Sequence, residues 1–598
     1  MRNGRLGLAR WTLLLLSVSL ALPASASGAA GVVVGRVTDG SGAPVEGAMV
    51  SFRRGEPAHA TTVFTNADGR FRVPSLGARP DWVRVRRIGW KDLDLDASQL
   101  PADVTASPME LVLERETNPA MVAAQLPSNR WFGLLLARMD DDAQREQLVR
   151  QCTYCHQQGS LATRAPRSDE EWDKVLSLMA RMGGTLSPDV RAQVPTLFTE
   201  AYEPTRAVAA LTADMDSPDF APPPAPRVRE AVIDEWVLGH PASMQHDLAV
   251  HPDGRIYSVD MTQDQLYRLD PHVPGGGRAS FPVPQGDLPL GGVFAAINPS
   301  VPNANAHVGP HSLQVAPDGA IWTTLALGNR LARFDPTSEE WTVHELQEGF
   351  YPHTLRFDGR GRVWYTIAVS NHIGMYDPAT DEHHAIRLPA PTWGQAIASR
   401  LLPVALWLAE RVDLSGSLGG GEGIDAPVPY GIDVAPGGDV WFSQLNAHRI
   451  GRIDPDTFEV EIVETPFTGP RRLRFDREGK LWIPGFSAGV VSRFDPETRE
   501  FESWPLPIEP RGSETPYALN VAPDGGVWVC GTNSDTLMRF DPGTEEFTVY
   551  PLPTQVTYTR EIDFDDQGRV WTSNSNLPTW QIEDAQPKVI RLDPDALS

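Results

Sequence analysis

Residues 152–156 read Cys-Thr-Tyr-Cys-His, a C-x-x-C-H motif. Two thiols on one helical turn can add to the two vinyl groups of a haem, and the adjacent imidazole can then reach the iron. Cys152 and Cys155 are therefore candidate haem attachment points, and His156 the candidate proximal ligand. A redox C-x-x-C expects a thioredoxin-like βαβ setting, but the flanks here read as helical. A zinc site needs a second ligand pair, and the only other cysteine of the three is Cys530. That residue lies beside Trp528 in a strand-like run and reads as an inert buried thiol.

A sixth iron ligand is expected from a later helix. Ser168 and Glu171 form a capping-box signature, and Trp172, Val175, Leu176 and Met179 follow at helical spacing. Met179 and Met182 both precede the Gly183-Gly184 break. Either thioether can reach an iron, with Met179 preferred because it shares a face with Trp172 and Val175. Met215 falls in the following linker and is a poor candidate.

Residues 232–598 repeat one unit. Each copy runs strand, Gly turn, Trp-bearing strand, loop, a strand ending in Asp-Pro, and a fourth strand such as EEFTVYPLP. The copies open at His246, His311, His353, Tyr430, Arg471, Tyr517 and Arg560. Four strands in each of seven units predict a seven-bladed β-propeller. The last copy stops after its third strand, and Ile233–Leu238 resembles the missing fourth, so it is expected to close the ring. The seven lead residues are expected at one mouth of the central channel. The residue fourteen positions after each lead residue, Asp260 in the first copy, belongs to the same end. Imidazole and carboxylate there suit proton transfer or a divalent metal, with His246, Asp260, His311 and His353 as candidate catalytic residues. Tyr430, Arg471, Tyr517 and Arg560 are candidate substrate-binding residues, the arginines suiting a carboxylate or other anion. Water-filled channel chemistry is the alternative reading. Insertions at about 272–308 and 388–428, the second with an amphipathic stretch from Gln395 to Val412, are candidates for a lid or a docking surface.

Upstream elements complete the architecture. Arg2, Arg5 and Arg10 precede a short apolar run ending in Ala24-Ser25-Ala26, so residues 1–26 read as an export signal and the expected location is periplasmic or secreted. Residues 31–115 alternate apolar and polar positions between Asp-Gly and Ser-Gly turns, which predicts a small β-sandwich. Residues 125–205 form the helical, haem-binding domain, and 206–231 a Pro-rich linker. The fold class is multidomain and mainly β: a small β-sandwich, an all-α cytochrome c domain and a seven-bladed propeller. The net charge of −25 argues against nucleic acid as a partner. No segment after the leader reads as a membrane span.

Three resemblances add to this reading. The runs GVVVGRVTDGSGAPVEGAMVSF and TTVFTNADGRFRVPSL resemble the carboxypeptidase regulatory-like domain, which implies a spacer or docking sandwich. The surroundings of Trp172 resemble small class I cytochrome c domains. The stretches HSLQVAPDGAIWTTLALGNRLARFDP and YGIDVAPGGDVWFSQLNAHRIGRIDP resemble the streptogramin (virginiamycin B) lyase family. That family implies ester elimination by channel histidines, a glutamate at the closing position and Mg²⁺. In this chain Leu325 and Ile367 occupy the positions beside His311 and His353, and the glutamate is missing. The expectation is therefore an exported protein that moves electrons through one covalent haem c, with a lyase-like propeller binding a small-molecule substrate or a redox partner protein. The alternatives are a metal-dependent carbon–oxygen lyase with an accessory haem domain, or a non-enzymatic docking propeller.

Overall fold

The computed structural model describes residues 31–74, 76–296, 304–409 and 426–598. The leader and parts of both insertions lie outside the described residues.

Six antiparallel four-stranded sheets and a seventh blade that is part of a larger sheet form the C-terminal part. Their inner strands begin at Gln245, Pro310, Pro352, Pro429, Arg474, Pro516 and Thr559. Each inner strand packs on the next, and the last, Thr559–Phe564, returns to the first, Gln245–Val250. The repeated aromatic is what spaces the blades. Trp322, Trp364, Trp441, Trp482, Trp528 and Trp571 are all buried and pack into the cluster of the following blade, as does Tyr257 in the first. Three of these indoles are also tied to the turn before their strand. Trp364, Trp482 and Trp571 donate Nε1–H to Asp358, Asp476 and Asp565 at 2.8–2.9 Å.

The last blade is completed from the opposite end of the chain. Val232–Val237 pairs antiparallel with Lys588–Asp593, so the closing strand is where its sequence places it. Its other edge was not anticipated. Val232–Val237 also pairs with His59–Phe64 of the N-terminal sandwich, so one eight-stranded sheet runs from the propeller into that unit. The sandwich adds a second sheet of three strands, Arg70–Val73, Val33–Asp39 and Met109–Leu113, over a core that includes Phe52, Phe71, Val85, Trp90 and Leu111. Inside the joint, Asp234 accepts from Thr61 at 2.6 Å and from Arg591 at 2.6 Å, and meets His59 at 3.0 Å. Burial opposes this charge, yet Arg591 and His59 hold the Asp234 carboxyl well below the usual carboxylate range.

Six α-helices lie between: α1 (Pro119–Gln125), α2 (Ser128–Leu136), α3 (Asp142–Cys152), α4 (Asp169–Arg181), α5 (Pro188–Ala201) and α6 (Pro204–Leu211). The helical run is wider than 125–205, since it starts at Pro119 and its last helix occupies the start of the expected linker. The capping box of Ser168 and Glu171 opens α4. Trp131, Phe132, Leu148, Trp172, Val194 and Phe198 lie in its apolar cluster. The second insertion carries α7 (Trp393–Ala409), where Trp393, Ile397, Leu401, Val404 and Trp407 are exposed. No helix among the described residues is long and apolar enough to cross a membrane.

A second tie fixes the sandwich against the last blade. Arg84 and Arg86 donate to Glu583 at 2.6–3.0 Å. Burial opposes the Glu583 charge, but the two arginines outweigh it and bring the carboxyl down to about 2 from 4.5. A carboxyl depressed by folding adds stability above its unfolded value, and that stability is lost as pH falls through the folded value. Chemical denaturation between pH 5 and 2 is expected to show this loss, and Glu583→Gln to flatten that part of the curve.

Candidate functional site

In most blades a β-bulge marks the start of the inner strand. Register shifts fall between Pro310 and Leu313, Pro352 and Leu355, Pro429 and Ile432, Pro516 and Leu519, and Thr559 and Ile562. A bulge re-aims side chains, and in these five blades it brackets the lead residue. A hydroxyl belt holds these bulges in place. Thr324, Thr366 and Ser443 take the N–H after their own blade's lead residue at 2.9–3.1 Å. The same groups donate to the lead carbonyl of the next blade, that of His353, Tyr430 and Arg471 respectively. Ser573 donates to the His246 carbonyl at 2.8 Å. Cys530 stands at the belt position of its blade and gives its thiol to the Arg560 carbonyl at 3.1 Å. Its thiol is therefore inert but placed.

The structure brings all seven lead residues together. Ring centroids step around the mouth at 3.7 Å from His246 to His311, 3.9 Å to His353 and 4.1 Å to Tyr430. Arg471 donates to the Tyr430 hydroxyl at 2.7 Å, Tyr430 to Tyr517 at 2.6 Å, and Arg560 to Tyr517 at 2.8 Å. Arg560 Nη1 also lies 3.0 Å from His246 Nε2, which closes the circle. Burial, and then the neighbouring arginines and histidines, push all three imidazoles well below their ordinary value. They are neutral rings, tilted 42° and 46° to one another.

Asp260 stays out of this circle. Its carboxylate turns back to accept from the backbone N–H groups of Met244 at 2.9 Å and Thr262 at 3.1 Å. The acid that meets His246 is its neighbour Asp247, 2.9 Å from Nδ1. Asp247 also receives Arg472 at 2.9 Å, and Arg472 and Arg474 both donate to Glu561, so a buried ion network lies directly inside the ring. Its members sit one and three positions after lead residues, and charges on an inner strand were the signal that the sequence carried for them. Among the described residues no group of three or more His, Cys, Asp and Glu is arranged to hold a metal ion. Arg560 beside His246 places a positive charge next to these imidazoles.

The C-x-x-C-H loop closes over this mouth. Arg471 donates to the Tyr154 carbonyl and Arg560 to the Cys155 carbonyl, each at 3.2 Å. Tyr558 donates to the Thr153 and Tyr154 carbonyls at 2.5 and 2.8 Å. The Tyr154 ring meets Tyr430 edge-on at 6.1 Å. The next residues peg the loop into the outer ends of the last two blades. Gln157 donates its backbone N–H to the Asn576 side-chain oxygen at 2.9 Å and its side-chain amide to the Thr532 carbonyl and Asp535 at 2.8 and 2.7 Å. Tyr558 and Gln157 were not anticipated. Tyr558 lies two residues before a lead residue, as does Tyr351, whose ring meets His311 at 6.2 Å.

Beyond the loop lies a cavity of about 550 Å³. Cys152, Cys155, His156, Met179 and Met182 all line it, with Trp172, Leu176, Val194 and Phe198 among its apolar walls. The propeller supplies a further wall through Thr262, Ala304 from the first insertion, and Leu577 to Gln581. His156 Nδ1 lies 3.0 Å from the Gln157 carbonyl. A proton held there leaves Nε2 free as a ligand. Burial pushes the imidazole below its ordinary value, and pushes the Cys152 thiol up to about 12.

The virginiamycin B lyase family model matches residues 424–579, three blades and the first two strands of the last. This stretch of the ring is similar to the virginiamycin B lyase family. The carboxypeptidase regulatory-like domain model matches residues 32–114, the N-terminal sandwich. Among solved structures, a streptogramin B lyase is 18% identical, covering 61% of this chain and 97% of its own, with a TM-score of 0.46. The virginiamycin B lyase of Staphylococcus aureus is 15% identical over 60% and 99% of the two chains, also at 0.46. The Kuenenia stuttgartiensis hydrazine synthase is 12% identical over 59% and 97%, at 0.41. No curated protein matches the chain.

Removing the Tyr558 hydroxyl takes the side-chain donor from the Thr153 carbonyl and leaves the Tyr154 carbonyl to Arg471, at a cost of about 1–3 kcal/mol. Tyr558→Phe is expected to speed amide hydrogen exchange in residues 150–160 while leaving the blade strands protected. Equal exchange in the loop would show that Tyr558 does not hold it.

Proposed function

We propose that this chain is an exported one-haem electron carrier whose lyase-like propeller seats the haem-attachment loop and walls one side of the haem cavity. The observation that supports it is the shared apolar cavity in which the two thiols and imidazole of Cys152, Cys155 and His156 meet the thioethers of Met179 and Met182. That donor set fits a covalently bound haem c. Cys152, Cys155, His156 and one of the two methionines would hold the group, which would supply one-electron transfer.

The chain's own residues prepare that chemistry. The Gln157 carbonyl orients the imidazole, and aromatic and aliphatic walls exclude water, which favours the less charged, reduced state. Trp580 lines the cavity yet is more than half exposed, so an aromatic group stands between cavity and solvent on the face open to a redox partner. Thioether attachment of haem takes place outside the bacterial cytoplasm. It therefore agrees with the export signal expected at 1–26 and with a periplasmic or secreted location.

The family match favours a second reading, a carbon–oxygen lyase. Against it stands the commitment of the mouth. The lead residues bond to one another, three mouth groups bond to the loop, and the family's channel glutamate is absent. The same contacts favour the propeller as a docking element over a substrate-binding one.

Spectroscopy of the purified protein tests the ligand assignments. His156→Ala is expected to lose the low-spin spectrum. Met179→Ala is expected to lose the near-infrared charge-transfer band of thioether-ligated ferric haem, and Met182→Ala to keep it. The reverse pattern would move the ligand to Met182, and a band lost in neither would remove both.

A further inference from the structure

The mouth ring holds buried positive charge that no carboxylate meets. Arg471, Arg472 and Arg560 are all buried. Arg472 has Asp247 and Glu561. Among the described residues, Arg471 and Arg560 have only neutral partners: tyrosine hydroxyls, loop carbonyls, His246 and Ser575. Nε and Nη1 of Arg471 have no hydrogen-bond partner, and its guanidinium carbon sits 3.7 Å from the ring centroid of Tyr517. Deeper in the channel, Arg356 and Arg474 share the Glu561 carboxylate. Asp433 and Asp563, which burial pushes up to about 7 and about 6, accept from the Phe475 and Val250 N–H groups and not from Arg471 or Arg560. A desolvated cation without a counter-ion is costly, so such a cluster draws a negative charge from whatever group in it can give up a proton.

The Tyr517 oxygen is the place where that charge fits. It receives hydrogen bonds from Tyr430 and Arg560 and donates none among the described residues. Tyr430 is itself oriented by Arg471. We infer that Tyr517 is a phenolate at neutral pH, the buried anion of the channel mouth and a proton-binding site one arginine away from the Cys155 carbonyl.

The surrounding groups agree in sign. Burial opposes ionisation of Tyr517, but Arg560, Arg472 and Arg471 outweigh it, and Asp247 offsets them only in part, so the phenol lies below its ordinary value. Burial pushes Tyr430, Tyr154 and Tyr558 the other way, which leaves them neutral. His246 is neutral and adds no competing positive charge.

The test is carbon-13 NMR of the full chain, held reduced, with its eleven tyrosines labelled at Cζ. One phenolate resonance is expected at neutral pH. It should vanish in Tyr517→Phe and persist in Tyr430→Phe, where Arg560 still faces the oxygen. Absence of any phenolate resonance in the native protein overturns the inference without needing a variant, and so does a phenolate that survives Tyr517→Phe. The readout is the tyrosine and not the haem, so its failure leaves the electron-carrier reading standing.

Discussion

The strand Val232–Val237 is paired on both edges, and the rest of the molecule depends on that pairing. One edge completes the last blade through Lys588–Asp593, and the other takes His59–Phe64 of the sandwich. A propeller closed by strands from distant parts of the chain resists opening blade by blade. Here the same strand also removes an exposed sheet edge, a general aggregation risk, by covering it with the sandwich. The cost is a carboxylate, Asp234, buried in the joint. It is tolerable only because Arg591, Thr61 and His59 meet it there. Breaking one partner of such a buried group is far more costly than never having buried it.

Closure of the ring sets the mouth, and the mouth sets the loop. The bulges turn seven lead residues towards the axis, the hydroxyl belt fixes their backbone, and the ring they form presents two guanidiniums and a phenol to the carbonyls of residues 153–155. A lyase-like scaffold thus uses its channel end as a socket. The helical segment contributes the C-x-x-C-H loop and the thioethers, the propeller contributes the seat and one wall, and neither alone encloses the cavity.

Much of this was legible in the sequence because it is periodic or local. The Trp spacing, the Asp-Pro markers and the seven lead positions fixed blade number, closing strand and ring composition. The capping box at Ser168 announced α4. Contacts without a local signal escaped. The pairing of the sandwich with the closing strand joins segments whose patterns each look complete. Asp260 looked like the partner of His246 because hairpin ends share a face. A register shift between Ser258 and Asp260 instead lets its carboxylate turn onto Met244 and Thr262. Asp247 was overlooked because it follows a lead residue and, by simple alternation, belongs to the other face. The loop–mouth contacts pair residues some three to four hundred positions apart, and no pattern in either segment encodes the other.

The account stands or falls on whether Cys152 and Cys155 carry a haem. Intact-mass spectrometry of the full chain, produced in a host that matures c-type cytochromes, measures this directly. The account predicts a single mass increment equal to one haem, absent from the Cys152→Ala/Cys155→Ala double variant. A native chain of unmodified mass, from cells that mature another c-type cytochrome in parallel, would contradict it.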